Sequence, residues 1–360
     1  MPIKEIGLTS FRNHNEIKMT FCPNINVIWG RNGSGKTAIL EAIHTLSIGR
    51  SFRTNRKADL LKEGEEFFSI TGKFSKTDNE QIIQINQTTD GARRIFVDET
   101  KLDNIRQLIG LNPVVLLSPE EQIITKGSPQ DQRNYFNKLF SIISSEYLNV
   151  LSDYNKIIKQ RNKLLADFHF IESAEQELEV WNERLADVGL KLWDIRKKYL
   201  EKFFERLGKV VQQIKDEKFS FGGEIILKTP KDKNDYLEQL KKLQKKDMYL
   251  GRTGFGPHKD KINFIFNGKP IKQYGSQGEH KLALLLIKLA EVELIKSETK
   301  QNPIVLLDDL FAKLDDKRSK QAMEMIGKDL QTIITTTDLK IVEDRGIEID
   351  NKLNCSYHLN

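Results

Sequence analysis

Gly30-Arg31-Asn32-Gly33-Ser34-Gly35-Lys36-Thr37 decides the fold of this 360-residue chain. The spacing is G-x-x-x-x-G-K-[ST], a phosphate-binding loop. Ile25–Trp29 before it reads as a short buried strand. Thr37–Leu46 after it reads as a helix with Gly49 as its stop. Each part has a chemical reason. Glycines let the backbone turn its N–H groups inward around a phosphate. The helix N-terminus adds partial positive charge. Lys36 can reach the β- and γ-phosphates, and the Thr37 hydroxyl can hold Mg²⁺. The eight residues from Gly30 to Thr37 are therefore the candidate nucleotide contacts, with Lys36 also catalytic.

The flanking chain bounds what such a site can serve. Its length suits two or three domains. With 38% hydrophobic and 30% charged residues it can bury a core and stay soluble. A net charge of +6 favours a polyanionic partner. Two cysteines, Cys22 and Cys355, with no Cys/His cluster, argue against a disulfide scaffold or structural zinc. There is no secretory h-region in the first thirty residues and no run of 18 apolar residues. The expectation is a cytoplasmic protein without a membrane partner.

Upstream of the loop, Ile3–Leu8 and Ile17–Phe21 read as strands around a polar turn from which Arg12 can face a nucleotide. Downstream, Arg50, Arg53, Arg56 and Lys57 crowd the segment after the first helix, as a phosphate-contact loop or a charged surface loop. Phe67–Phe74, Gln81–Asn86 and Arg93–Val97 form an antiparallel meander. Val114–Leu117 is a buried strand of parallel-sheet type. Ser128-Pro129 starts a helix. From Gln130 to Val188 there is no Gly or Pro, and apolar residues recur at heptad spacing beyond that to Tyr199. This predicts two long antiparallel helices, each on the order of 50 Å at ~1.5 Å per residue, with a tip at 167–173. A lysine-rich return at 217–247 contains a Gly222-Gly223 turn. His258 reads as a turn histidine, since no nucleophile pattern surrounds it.

Four elements toward the C-terminus set the class. Ser276-Gln277-Gly278-Glu279 opens an apolar helix to about Lys296, a second phosphate-binding device. Pro303–Asp309 is a buried strand ending in two acids. Asp308 can hold Mg²⁺, and Asp309, pointing the other way, can orient a water. Phe311–Asp315 follows the acids. Gln331–Asp338 is another buried strand with a polar end.

This order resembles the ATP-binding-cassette ATPases, and the helical insertion resembles their SMC-like branch. The resemblance implies a signature loop, Ser276–Glu279, that completes the site of a second protomer. It implies Asp308 as magnesium-binding acid, Asp309 as water-activating acid and Asp315 as D-loop acid. Within that branch, Ser118-Pro119-Glu120-Glu121 with Lys126-Gly127-Ser128-Pro129 looks like the F-x-P-E-D…K-G-S-P block of the bacterial RecF family. Gly256-Pro257-His258-Lys259-Asp260 looks like its G-P-H-R-D block, and Gly49–Arg53 like its basic segment.

The implied fold is α/β: an ABC-type P-loop ATPase head, with a mixed central sheet and an antiparallel meander, carrying an inserted α-helical arm. The expected segments are 1–125 (head), 126–245 (arm) and 246–360 (head). The implied function is an ATP-gated homodimer that binds DNA without sequence preference and works with RecR, and less directly RecO, in loading recombinase at gaps. Asp309, Lys36, Ser276 and Glu120 are its catalytic candidates, and ATP with Mg²⁺ its cofactors. An aspartate at 309 rather than glutamate, Pro119-Glu120 where the wider family has glutamine, and Thr337 or Asp338 at the switch-histidine position imply slow hydrolysis. A transporter ATPase predicts that histidine and no arm. A structural SMC-like protein predicts far longer arms, and a P-loop kinase has no signature loop.

Overall fold

The structure, a computed structural model, describes all residues except 1, 77–78, 169–170, 172, 215–218, 310–328, 345–348, 350–352 and 360. Two compact units divide the chain. One spans Met1–Gln122 and Ser276–Asn360, the other Ile123–Gly275.

In the first unit, β1 (Ile3–Phe11) and β2 (His14–Thr20) form a hairpin. After β3 (Ile25–Gly30) comes α1 (Lys36–Ile48), then β4 (Phe67–Ser75), β5 (Glu80–Thr88), β6 (Arg93–Val97), β7 (Thr100–Lys101) and β8 (Val114–Leu117). The antiparallel sheet has the order β2-β1-β4-β5-β6-β7. Alternation drives it: Phe68, Ile70 and Phe74 of β4 are buried, as are Ile83 and Ile85 of β5. Gly72 stands where a Phe would fit the alternation, because a Cβ there would lie 2.6 Å from Leu46 of α1. The helix is buried nearly all round and packs into one apolar core with strands of both sheets.

The second unit contains α2 (Ile123–Lys126), α3 (Pro129–Ile143), α4 (Ser145–Ala166), α5 (Ala174–Gln212), β9 (Phe221–Ile226), α6 (Lys233–Leu250), β10 (Lys261–Phe266), β11 (Lys269–Pro270) and α7 (Ile271–Tyr274). The arm differs from the expected pair of long helices. Its first limb is broken at Ser144, which is extended (φ −147°) and accepts a hydrogen bond from Tyr147 N at 3.1 Å. A serine cap satisfies a helix start without Gly or Pro. The limbs are unequal: 22 residues in α4 and 39 in α5, about 33 and 58 Å at ~1.5 Å per residue. A third helix, α6, packs on both, burying Tyr236 against Trp193. Its Lys241, Lys242, Lys245 and Lys246 are exposed, a solvated face.

Gly222 and Gly223 lie inside β9, not in a turn. A side chain at 223 would collide with the Phe204 ring, so the glycine makes room for an aromatic. Because β9 pairs with β10, residues 246–275 pack with the insertion. Asn267 (φ 46°) and Gly268 (φ 75°) turn the chain into β11 as a left-handed hairpin turn.

The Gly256–Asp260 block is a buried polar knot of this unit. Asp260 accepts from Trp193 Nε1 at 2.9 Å and from Arg196 Nη1 at 2.5 Å. His258 Nε2 donates to Thr253 O at 2.9 Å, so its Nδ1 accepts from Tyr154 Oη at 2.6 Å. Burial pushes its pKa down to about 4. His258 is neutral and structural.

The chain then returns to the first unit through α8 (Gln277–Thr299), β12 (Ile304–Asp308), β13 (Thr332–Thr336) and β14 (Cys355–Leu359). The parallel sheet has the order β14-β3-β13-β12-β8. Parallel pairing of β14 with β3 sets Cys355 opposite Asn26 and beside Cys22, the two cysteine Cα atoms lying 5.8 Å apart. Spacing along the chain gave no sign of this, because the two lie 333 residues apart. Among the described residues no helix is long and apolar enough to cross a membrane.

Candidate functional site

The carboxyl ends of β3, β12 and β13 meet at the phosphate loop, because β13 lies between β3 and β12. Gly30, Gly33 and Gly35 all have positive φ (149°, 86° and 95°), and Gly35 caps α1 in the left-handed region. Lys36 is buried, and its Nζ donates to Gly30 O at 2.7 Å and Arg31 O at 2.8 Å. The Phe11–His14 turn braces the loop. Asn13 Nδ2 donates to Gly33 O at 3.1 Å, and His14 Nε2 to Gly35 O at 3.1 Å.

Asp308 ends β12, and its Oδ1 accepts from Thr37 Oγ1 at 3.0 Å and Thr335 Oγ1 at 2.6 Å. Burial raises its pKa, the two hydroxyls oppose that, and Asp309 and Glu120 add to the rise. Such a carboxylate, clustered with other acids, is stabilised by a cation. Asp309 leaves the strand in the left-handed region (φ 47°), rather than continuing it with the opposite face as expected. That backbone state costs ~1–3 kcal/mol in a non-glycine residue. Its N–H donates to Thr335 Oγ1 at 3.1 Å, while its buried Oδ1 and the Ser34 Oγ have no partner among the described residues.

A cavity of about 520 Å³ opens here, lined by Asn32, Gly33, Lys36, Thr37 and Asp309, with Arg12 and Arg53 on its wall. Arg12 is fixed by a fork on the buried Glu41 of α1: Nε to Oε2 at 2.8 Å and Nη2 to Oε1 at 2.6 Å. Ser51 also donates to Glu41, and Arg53 lies 3.9 Å from it. Thr37 and Asp308 offer hard oxygen donors a hydrogen bond apart, and two orphaned polar atoms adjoin them. That set fits Mg²⁺ and a polyphosphate.

The signature segment lies elsewhere in the unit. Ser276 caps α8, accepting from Glu279 N at 3.3 Å, while Glu279 Oε2 accepts from Ser276 N at 2.6 Å. This capping box commits Glu279 to the helix end and leaves Ser276 and Gln277 exposed. Ser276, Gln277, Gly278 and Glu279 do not line the P-loop cavity. Glu120 sits exposed in a short 3₁₀ turn, Pro119–Gln122. The next residue, Glu121, pairs with the buried Lys288 of α8, whose Nζ also meets Glu291 at 3.0 Å.

The family model described as RecF/RecN/SMC N terminal domain matches residues 2–351. The DNA replication and repair protein RecF of Ruminiclostridium cellulolyticum is 36% identical over 348 residues, covering 94% of this chain and 93% of that protein. The chain belongs to the RecF family.

RecF of Lachnoclostridium phytofermentans is similar at 32% identity, covering 97% of this chain and 96% of that one. A solved structure of the recombination mediator protein RecF with ATPrS superposes with a TM-score of 0.88 at 32% identity, covering 100% and 96% of the two chains. An Smc head at 18% identity and TM-score 0.53 shares the fold. The RecF head is thus an ABC-type α/β fold, as its motif order implied.

Within this RecF head, the P-loop residues, Asp308, Asp309 and Arg12 converge. Asp315 lies outside the described residues. Thr337 and Asp338 are exposed beyond β13, and Asp338 Oδ1 accepts from Lys340 N at 3.0 Å. Arg53, expected among DNA contacts, lines the P-loop cavity, whereas Arg50, Arg56 and Lys57 border a different one. Sequence reasoning missed Asn13, His14, Glu41 and Lys288. The signal available was a charged residue inside an otherwise apolar helix, at Glu41 and at Lys288.

Proposed function

We propose that this chain is an ATP-dependent DNA-binding protein of recombinational DNA repair and replication restart. In this reading ATP binding drives head-to-head dimerisation, the dimer clasps DNA at gaps, and RecR, with RecO behind it, uses the clasp to load recombinase. Slow hydrolysis resets it. The observation that carries the reading is the separation of two half-sites: P-loop residues and Asp309 line one cavity, while Ser276, exposed at the capped start of α8, does not line it. A γ-phosphate held at the first half-site can be covered by the second only from another copy.

Lys36, Ser34 and the loop backbone hold the phosphates, and Arg12 and Arg53 face them from the cavity wall. Thr37 and Asp308 would hold Mg²⁺, which supplies charge neutralisation for the phosphates. Asp309, with one unpartnered oxygen, orients the attacking water. Glu120 is the neighbouring acid. Pinning α8 to the 3₁₀ turn through Lys288 and Glu121 keeps the signature helix in register with Glu120.

Gel filtration of the full chain with and without ATP, followed by DNA titration in both states, tests this. A shift to dimer with ATP and tighter DNA binding in that state support it. A chain that stays monomeric with saturating ATP, or binds DNA equally with and without it, ends the gated-clamp reading.

A further inference from the structure

A second cavity of about 570 Å³ lies in the first unit. Arg50, Arg56, Lys57 and Arg93 border it, and Asp103 is the acid in its lining. Four cations thus face one carboxylate. Arg93 is held by neutral acceptors: Nε and Nη2 donate to Gln87 Oε1 at 2.9 and 2.5 Å, and Nη1 donates to Gly49 O. Burial and the charge of Arg50 both hold its pKa below the ordinary value. Among the described residues, Arg50, Arg56 and Arg93 make no ion pair with a carboxylate. The remaining lining is mixed: Leu60, Ile95, Leu102 and Ile105 are aliphatic, and Ser51, Thr54, Asn55 and Asn104 are neutral and polar.

The wall is ordered before any ligand arrives. Ser51 Oγ accepts from Arg53 N and Thr54 N at 2.9 and 3.1 Å, and Thr54 Oγ1 accepts from Arg56 N at 3.0 Å. Gln87 Nε2 donates to Lys57 O at 2.9 Å. Four cations beside aliphatic and neutral polar side chains match a molecule with an anionic end and a flat remainder that has apolar faces and polar edges. The volume is in the range of small-ligand sites, ~300–1,000 Å³.

We infer that this cavity is a second phosphate site, separate from the P-loop, that takes one unpaired or terminal nucleotide of a DNA strand. The phosphate sits on Arg50, Arg56 and Lys57, and the sugar and base lie against the aliphatic and neutral polar side chains. The inference rests on the DNA-binding reading above and adds its geometry. A duplex phosphate alone would fill a small part of about 570 Å³, whereas an unpaired nucleotide brings its sugar and base into the same cavity.

The test uses the full chain and the double variant Arg56→Ala/Lys57→Ala, which leaves Arg93 in place as the partner of Gly49 O. Anisotropy titrations compare a gapped duplex with an intact duplex of equal length across a salt series. Deoxyadenosine monophosphate and inorganic phosphate serve as competitors, and thermal melts confirm folding. We expect the wild type to favour the gapped duplex about tenfold. The double variant loses that preference, and its log-affinity slope on gapped DNA falls by about two, near 0.9 per lost phosphate contact. The mononucleotide competes far better than phosphate alone.

Equal weakening on both duplexes makes these residues ordinary backbone contacts and overturns the pocket, while DNA binding stands. Phosphate competing as well as the mononucleotide removes the sugar and base from the assignment and overturns it too. If the wild type binds no DNA, the DNA reading fails by itself. Mononucleotide binding that the double variant loses then retains the site with a free nucleotide as occupant, and its absence overturns the site.

Discussion

At the scale of single residues, the site combines tight geometry with deliberate non-satisfaction. Lys36 is buried, and among the described residues its Nζ donates to two loop carbonyls. Its removal costs a hydrogen-bonded contact at a cavity wall, about 1 kcal/mol. Lys36→Ala is therefore expected to fold while losing nucleotide affinity by at least tenfold, checked by fluorescent-ATP titration beside a thermal melt. Normal affinity in a folded variant sinks the P-loop assignment. Asp309 holds a strained backbone and an unpartnered oxygen facing the same cavity. Asn tolerates the left-handed region, so Asp309→Asn keeps the shape and loses the base. ATP binding and dimerisation should persist while turnover falls about 10²-fold or more. Wild-type turnover would move the water-orienting role to Glu120.

At the scale of elements, the knot around Gly256–Asp260 fastens α4, α5 and α6 of the second unit through buried polar contacts. His258 there is held neutral, its pKa pushed from 6.5 to about 4 by burial. The folded pKa is depressed, so between pH 6.5 and 4 the unfolded chain binds the extra proton. Stability is then present above pH 6.5 and lost as pH falls toward 4, at about 1.4 kcal/mol per pH unit. Urea unfolding at pH 7 and pH 4.5 should show a steeper loss for the wild type than for His258→Gln, which cannot take up that proton. Matching losses in the two proteins would show that this histidine does not couple folding to pH.

At the scale of the whole molecule, the proposed function depends on two copies meeting. Ser276→Arg tests this directly. The helix loses its cap, worth about 1 kcal/mol, and gains a bulky cation where a partner's γ-phosphate would lie. It is expected to bind ATP as the wild type does, yet stay monomeric by gel filtration with ATP and lose hydrolysis. A normal ATP-dependent dimer in this variant removes the composite site. DNA binding by the dimer should fall linearly in log affinity against log salt, as phosphate contacts require. Arg53→Ala separates the two cavities: it should weaken ATP binding and leave the salt slope unchanged. A flattened slope with normal ATP affinity would return Arg53 to the DNA contacts.

Local pattern carried much of this protein. The loop from Gly30 to Thr37, the strand ending at Asp308, the alternation of the meander and the apolar helix after Ser276 are legible because each is a short-range rule: a glycine's dihedral freedom, or a period of 2 or 3.6. The motif order then pointed to the ABC-type head and its RecF branch. What local pattern could not show depends on residues distant in sequence. The fork of Arg12 on Glu41 and the brace of His14 on Gly35 exist only because the β1–β2 turn packs on the loop and on α1, and Cys22 meets Cys355 only because β14 pairs with β3. The break at Ser144 and the place of Gly223 inside a strand were set by competition. A serine cap ended one helix and started another, and the Phe204 ring excluded a side chain. The sorting of Arg53 to one cavity and of Arg50, Arg56 and Lys57 to another followed from how one turn of chain folds between α1 and the meander. Sequence spacing records which charges are near along the chain; only packing decides which way each one faces.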